Sequence, residues 1–129
     1  MKKVTGIGGV FFKSKNPAKS KEWYEINLGI KSDKYGHSFK WRDQEYQSTE
    51  CITQWSPMAE DTDYYHPSKS EFMINYRVDN LEALLLELKR NKVKIIGEMQ
   101  EFDYGKFAWV IDPDGRKVEL WEPKGESTL

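Results

Sequence analysis

Short stretches of the chain alternate hydrophobic and polar residues, which is typical of strands with one buried face. We predict strands at residues 4–13, 38–42, 49–55, 72–78, 93–98, 106–111 and 116–121, with a less regular strand near 30–34. Asp-Pro-Asp-Gly at residues 112–115 separates the last two strands. This tetrapeptide predicts a tight turn, because proline fixes φ and glycine accepts the left-handed conformation.

Two other stretches have helical spacing. The first begins at Asn16, a preferred capping residue, continues with Pro17, whose missing N–H costs nothing in a first turn, and ends at Gly29. The second begins at Asn80 and places leucines at positions 81, 84, 85 and 88, which is one buried stripe. The predicted order is therefore β-α-β-β-β, twice, in an α+β fold.

Three echoes indicate that the chain contains a duplicated half. ITQWSP at residues 52–57 resembles VELWEP at 118–123, Tyr-Gly at 35–36 recurs at 104–105, and GVFFK at 9–13 resembles MINYR at 73–77. The offsets are 66, 69 and 64 residues, in one order. We expect one domain spanning residues 1–129, with module one at 4–57, a linker at 58–70, module two at 71–123 and a tail at 124–129.

Composition excludes several classes of function. Twenty Lys and Arg against twenty-one Asp and Glu leave a net charge of −1, so we expect no nucleic-acid partner. The single cysteine, Cys51, cannot form an internal disulfide. No apolar run approaches the ~20 residues that span a bilayer, so we expect no membrane partner and a cytoplasmic location.

The linker allows two interpretations. It carries Glu60, Asp61 and Asp63, followed by Tyr64, Tyr65 and His66. An acidic segment is typical of a solvated connection. The aromatic residues instead favour a lid that closes over a pocket, because long ordered loops often carry function.

The element order and two stretches resemble the vicinal oxygen chelate superfamily of glyoxalases, bleomycin-resistance proteins, extradiol dioxygenases and fosfomycin-resistance enzymes. The stretches are FMINYRVDNL at residues 72–81 and FAWVIDPDGRKVELW at 107–121. The resemblance implies eight strands that curl into two half-barrels forming one cup, with the helices outside. It also implies a homodimer, because two-module members of that family commonly pair.

Strand alternation predicts which side chains line the cup. On the last strand, Val118 and Leu120 should pack against helices, so Glu119 and Trp121 should face the cup. The repeated segments should have the same alternation. They therefore predict that the cup is also lined by Gly9, Phe11, Lys13, Thr53, Trp55, Met73, Asn75 and Arg77. A register slip of one residue would exchange these positions with their neighbours.

The resemblance also implies where a divalent ion would be held. The family's four metal-ligand positions fall on Gly9, Thr53, Met73 and Glu119, of which only Glu119 suits a divalent ion. A slip would bring Gln54 inward, which still leaves two ligands. The histidines, His37 and His66, have no partner at ligand spacing, so we expect neither a metal nor another cofactor.

What remains is an aromatic cup with few polar groups. We predict that a small organic ligand, aromatic or cationic, binds to Phe11, Trp41, Trp55, Met73, Asn75, Arg77, Trp109 and Trp121. These tryptophans are also typical core residues, and Arg77 equally suits pairing with Glu119 or Asp79. In an enzyme, Glu119 is the candidate catalytic base, because burial raises carboxyl pKa values. Tyr104 and Lys106 are further candidates for orienting a substrate.

Three hypotheses follow from these residues. The first is a metal-independent binding protein resembling bleomycin-resistance proteins. The second is a lyase, isomerase or dioxygenase-like enzyme that uses Glu119, either as a base or in an unusual metal site. The third is an interaction domain whose cup is a partner surface.

Overall fold

The computed structural model describes residues 3–124, which form one mixed sheet and two helices. The elements are β1 (Val4–Ser14), α1 (Pro17–Leu28), β2 (His37–Arg42), β3 (Glu50–Ala59), β4 (Phe72–Val78), α2 (Leu81–Arg90), β5 (Ile95–Phe102), β6 (Gly105–Ile111) and β7 (Lys117–Pro123). The predicted α+β class is confirmed. No helix in the described part of the chain has the length and apolar character needed to cross a membrane.

The sheet has seven strands in the order β2-β3-β1-β4-β7-β6-β5 and does not close. At its centre β1 and β4 are antiparallel, and each also has a parallel neighbour, β3 and β7 respectively. The expectation of eight strands is wrong within residues 3–124. Residues 30–34 contribute only an isolated bridge, between Asp33 and Gly36, because the chain turns back on itself there.

The predicted helix boundaries are confirmed by their caps. The Asn16 side chain accepts a hydrogen bond from Lys19 N at 3.1 Å, and Gly29 takes the left-handed conformation with φ 73°. At the second helix, the Asn80 side chain accepts from Ala83 N at 3.0 Å. Local sequence therefore sets where both helices begin.

The main core lies between α2 and one face of the sheet. Its buried members are Val78, Leu81, Leu84, Ala108, Val110 and Leu120. Residues that alternate with these on β4, β6 and β7 point to the opposite side of the sheet, which we call the site face. The predicted turn at residues 112–115 is confirmed, since Gly115 N donates to Asp112 O at 3.0 Å and Gly115 has φ 83°.

Candidate functional site

Neighbouring strands bring a row of residues together on the site face. Gly9 of β1 is in register with Gln54 of β3 and Asn75 of β4, and Asn75 is in register with Glu119 of β7. Glu119 is in turn in register with Trp109 of β6. The row places one carboxylate between an amide and an indole.

The Glu119 carboxylate is buried, with 2 % of its surface exposed, and it accepts three hydrogen bonds. Asn75 Nδ2 donates to Oε1 at 2.7 Å, and Trp109 Nε1 donates to Oε2 at 2.8 Å. The phenol of Tyr64 also donates to Oε2. These donors compensate the cost of removing the carboxylate from water.

Tyr64 belongs to the linker between β3 and β4. Burial raises its pKa above the ordinary value of 10.0, and the charge of Glu119 raises it further. The adjacent Tyr65 is 1 % exposed and packs against Met73 and Trp109. Burial, followed by the charge of Glu119, raises the pKa of Tyr65 to about 12. A purely solvated linker is therefore the wrong interpretation at this point, because both phenols lie against the site face.

Arg77 lies between two tryptophan rings. Its guanidinium carbon is 5.3 Å from the centre of the Trp41 ring and 5.5 Å from that of Trp121. The indole N–H of Trp41 donates to Thr53 Oγ1 at 2.8 Å, which fixes that ring. A Cβ at Gly8 would lie 2.9 Å from Trp121 Cε3, so the close approach of these groups requires glycine there.

An open groove lies beside the Glu119 cluster. Its volume is about 480 Å³, and the side chains that line it include Tyr64, Phe102, Tyr104, Phe107, Trp109 and Lys117. The rings of Phe107 and Trp109 are nearly parallel, with centres 6.4 Å apart and an interplanar angle of 18°. Phe102 and Tyr104 are 41 % and 59 % exposed, so aromatic faces border the groove toward solvent.

Lys117 provides a positive charge in the groove wall. Its Nζ donates to the carbonyl oxygen of Tyr64 at 2.8 Å and lies 5.4 Å and 5.6 Å from the ring centres of Tyr64 and Trp109. Burial lowers the pKa of the ammonium below its usual value, although the charges of Glu119 and Asp63 oppose that effect. The groove thus combines aromatic faces with one partly desolvated cation.

Most of the predicted ligand-binding residues lie together on the site face or beside it. Phe11, Met73 and Trp109 pack around Tyr65, Asn75 reaches Glu119, and Trp41 and Trp121 flank Arg77. Their role in ligand binding stays a prediction.

The prediction that Trp55 lines the cup is wrong. The Trp55 ring packs against Phe12 and Tyr24 of α1, with ring centres 5.3 Å and 4.9 Å away. In β3 the residue in register with Gly9 is Gln54, so Trp55 falls opposite Val10. The register differs by one residue from the predicted one, and that residue moves the indole from the cup to the helix.

Of the two residues predicted to orient a substrate, only one lies at the groove. Tyr104 lines the groove, whereas Lys106 pairs with Glu82 at 2.6 Å, outside the groove. Lys117 and Phe107 line the groove although the sequence pattern did not predict them there. Strand parity contained the signal, since Lys117 lies two residues before Glu119, and Phe107 two before Trp109, so each pair shares one face of its strand.

The residues present do not fit the divalent ion that the family resemblance implies. The resemblance implied Gly9, Thr53, Met73 and Glu119, but strand register aligns Gly9 and Glu119 with Gln54 and Asn75. One carboxylate is therefore the only charged donor in this row. That carboxylate already accepts three hydrogen bonds. The Gln54 oxygen accepts from Ser38 Oγ at 2.7 Å. Residues 3–124 contain no group of three or more His, Cys, Asp or Glu side chains placed to hold a metal.

A sequence profile of the Glyoxalase/Bleomycin resistance protein/Dioxygenase superfamily matches residues 6–120. The chain belongs to this superfamily. No curated protein matches the chain in sequence.

Solved structures of other proteins have a similar fold. Methylmalonyl-CoA epimerase from Mycobacterium tuberculosis is 18 % identical with a TM-score of 0.64, and the match covers 96 % of this chain and 91 % of that one. A variant of the Streptomyces coelicolor epimerase, in complex with 2-nitronate-propionyl-CoA, is 13 % identical with a TM-score of 0.67, covering 98 % and 99 %. The Mn(II)-bound glyoxalase from Novosphingobium aromaticivorans is 19 % identical with a TM-score of 0.58, and the match covers 95 % of this chain but 40 % of that one. At these identities the likeness establishes the fold alone.

Proposed function

We propose that this superfamily member binds a small organic molecule with a planar aromatic group in the groove beside Tyr64, without a metal ion. The observation that carries the proposal is the pair of nearly parallel rings, Phe107 and Trp109, in the wall of an open groove of about 480 Å³. Pockets of this size, apolar with a few placed polar groups, are typical of small-molecule sites.

The proposed ligand stacks on aromatic faces and does not need to supply a cation. The faces of Trp41 and Trp121 already hold the guanidinium of Arg77. The ammonium of Lys117 lies against Tyr64 and Trp109. A cationic ligand would therefore compete with charges that the protein itself provides.

Isothermal titration calorimetry with cinnamamide, a neutral planar probe, tests this function. We expect binding to the wild-type protein and about three- to tenfold weaker binding to Phe107→Leu, because a stacked aromatic contact contributes roughly 0.5–1.5 kcal/mol. Phe39→Leu is the matched control, since Phe39 is an exposed residue of β2 outside the groove. Equal affinities of the two variants would contradict the proposal, as would a wild type that binds neither cinnamamide nor a charged analogue of it.

A second candidate function is an enzyme of lyase, isomerase or dioxygenase type that uses Glu119 as a base. The hydrogen bond from Tyr64 to Glu119 favours it, because it links the groove wall to a carboxylate that is itself 2 % exposed. A proton taken from a molecule in the groove would pass to Tyr64 Oη while the Tyr64 proton moved to Glu119 Oε2.

Deuterium exchange into the methyl group of acetophenone, followed by NMR, tests this second function. We expect exchange faster than in buffer, and about a hundredfold or greater loss of that acceleration in both Tyr64→Phe and Glu119→Gln, because a positioned acid–base group contributes about 10²–10⁴-fold. Tyr65→Phe should retain exchange, because its phenol does not contact Glu119. Unchanged exchange in the first two variants would reject the assignment of the base.

A further inference from the structure

The groove wall contains a positive charge, the ammonium of Lys117, that has no role in aromatic stacking. Lys117 lies two residues before Glu119, on the same face of β7. Within residues 3–124 its one hydrogen bond goes to the Tyr64 carbonyl oxygen. An ammonium has three N–H donors, so two remain for another acceptor.

The negative groups near Lys117 do not take up those donors. Glu119 is the nearest buried carboxylate, and its oxygens accept from Tyr64, Asn75 and Trp109. Asp63, whose charge acts on Lys117, and Glu98, which lines the groove, are both exposed to solvent, where their fields are screened. Among the described residues Lys117 forms no ion pair.

We infer that the ligand of this groove is a planar aromatic acid whose carboxylate pairs with Lys117 while its ring stacks beside Phe107 and Trp109. The inference rests on the proposed function and names the chemical class of its ligand. A carboxylate at Lys117 would receive charge-assisted hydrogen bonds in a partly dehydrated site, where they are stronger than at the surface. The fall in the pKa of Lys117 on burial is consistent with an ammonium that lacks a full counter-charge in the free protein.

Three probes that differ only in charge test this class: cinnamate, cinnamamide and cinnamylammonium. Calorimetry at low ionic strength should give at least about tenfold tighter binding for cinnamate than for cinnamamide, and the weakest binding for cinnamylammonium. The advantage of cinnamate should shrink as salt is added, because the pairing is electrostatic.

Variants at one position assign the effect to Lys117. Lys117→Met should remove the advantage of cinnamate over cinnamamide, and Lys117→Arg should keep that advantage. Lys40→Met is the matched control. It removes one charge from a strand outside the groove, where Lys40 lies 4.0 Å from Glu50, and it should preserve the preference.

Each outcome has a distinct meaning. If cinnamamide binds and cinnamate gains nothing, or if Lys117→Met keeps the preference, the inference is overturned while the proposed function stands. If none of the three probes binds, both the proposed function and the inference fail.

Discussion

The phenol of Tyr64 donates a hydrogen bond to the buried Oε2 of Glu119, although 55 residues separate the two positions. The bond joins the linker between β3 and β4 to β7. It thereby places the Tyr64 ring in the groove wall. There the Tyr64 carbonyl oxygen also accepts a hydrogen bond from Lys117 Nζ. One contact thus connects the linker, the carboxylate and the proposed ligand site.

Removing the two linker hydroxyls should have different effects on stability. We expect Tyr64→Phe to lower the free energy of unfolding by about 1–3 kcal/mol, because a charged, buried acceptor loses one donor. Tyr65→Phe should be neutral or slightly stabilising, since the Tyr65 hydroxyl is buried with no hydrogen-bond partner among the described residues. Urea unfolding of both variants measures the difference, and equal losses would contradict it.

Stability should fall at alkaline pH. Folding raises the pKa of Tyr65 from 10.0 to about 12 and raises that of Tyr64 in the same direction. The folded state therefore holds these protons more tightly, so the stabilisation is complete below about pH 10 and is lost as the pH rises through the folded-state values. Urea midpoints between neutral pH and alkaline pH measure the slope.

Two tyrosine variants test which phenols cause the loss of stability at alkaline pH. Tyr65→Phe should flatten the decline, because it removes one of the two phenols that titrate late. Tyr35→Phe should not flatten it, because Tyr35 is exposed outside the groove. A decline that is the same in all three proteins would reject the assignment.

Trp55 should matter for stability and not for ligand binding. The ring packs on Phe12 and Tyr24, so Trp55→Leu removes contacts between α1 and the sheet. We expect a loss of about 1–3 kcal/mol in the free energy of unfolding, less than for a fully buried tryptophan. The affinity for cinnamamide should stay within about twofold. A large loss of affinity with little loss of stability would return Trp55 to the ligand site.

Divalent ions should bind weakly. After equilibration with nickel, zinc, manganese or iron(II) and removal of free ion, we expect elemental analysis to find well below one ion per chain. The physical reason is the row of Gly9, Gln54, Asn75 and Glu119, which offers a single carboxylate that is already hydrogen-bonded. Near one ion per chain, lost in Glu119→Gln, would instead place the protein among metal-dependent members of its superfamily.

The helices and the parity of two strands could be predicted because their signals are local. Asn16 and Asn80 cap helices through hydrogen bonds to residues three positions away. Glu119 precedes Leu120 on a regular strand. Because Leu120 is buried against α2, Glu119 must point to the opposite face of the sheet. The prediction of an eighth strand was wrong because residues near Asp33 form a turn. The hydrogen bonds of that turn leave no mark in the alternation of hydrophobic and polar residues.

What the sequence by itself determined was the two helices and seven strands, their caps and turn, and most of the aromatic rings and the one carboxylate of the site. Tertiary structure alone decided that Trp55 faces α1, since strand register depends on distant pairing and a one-residue shift reverses every side chain. It also decided that Tyr64 reaches Glu119 and Tyr65 enters the core. Those contacts depend on how a linker without periodicity packs across the sheet, a non-local free energy that no window of sequence contains.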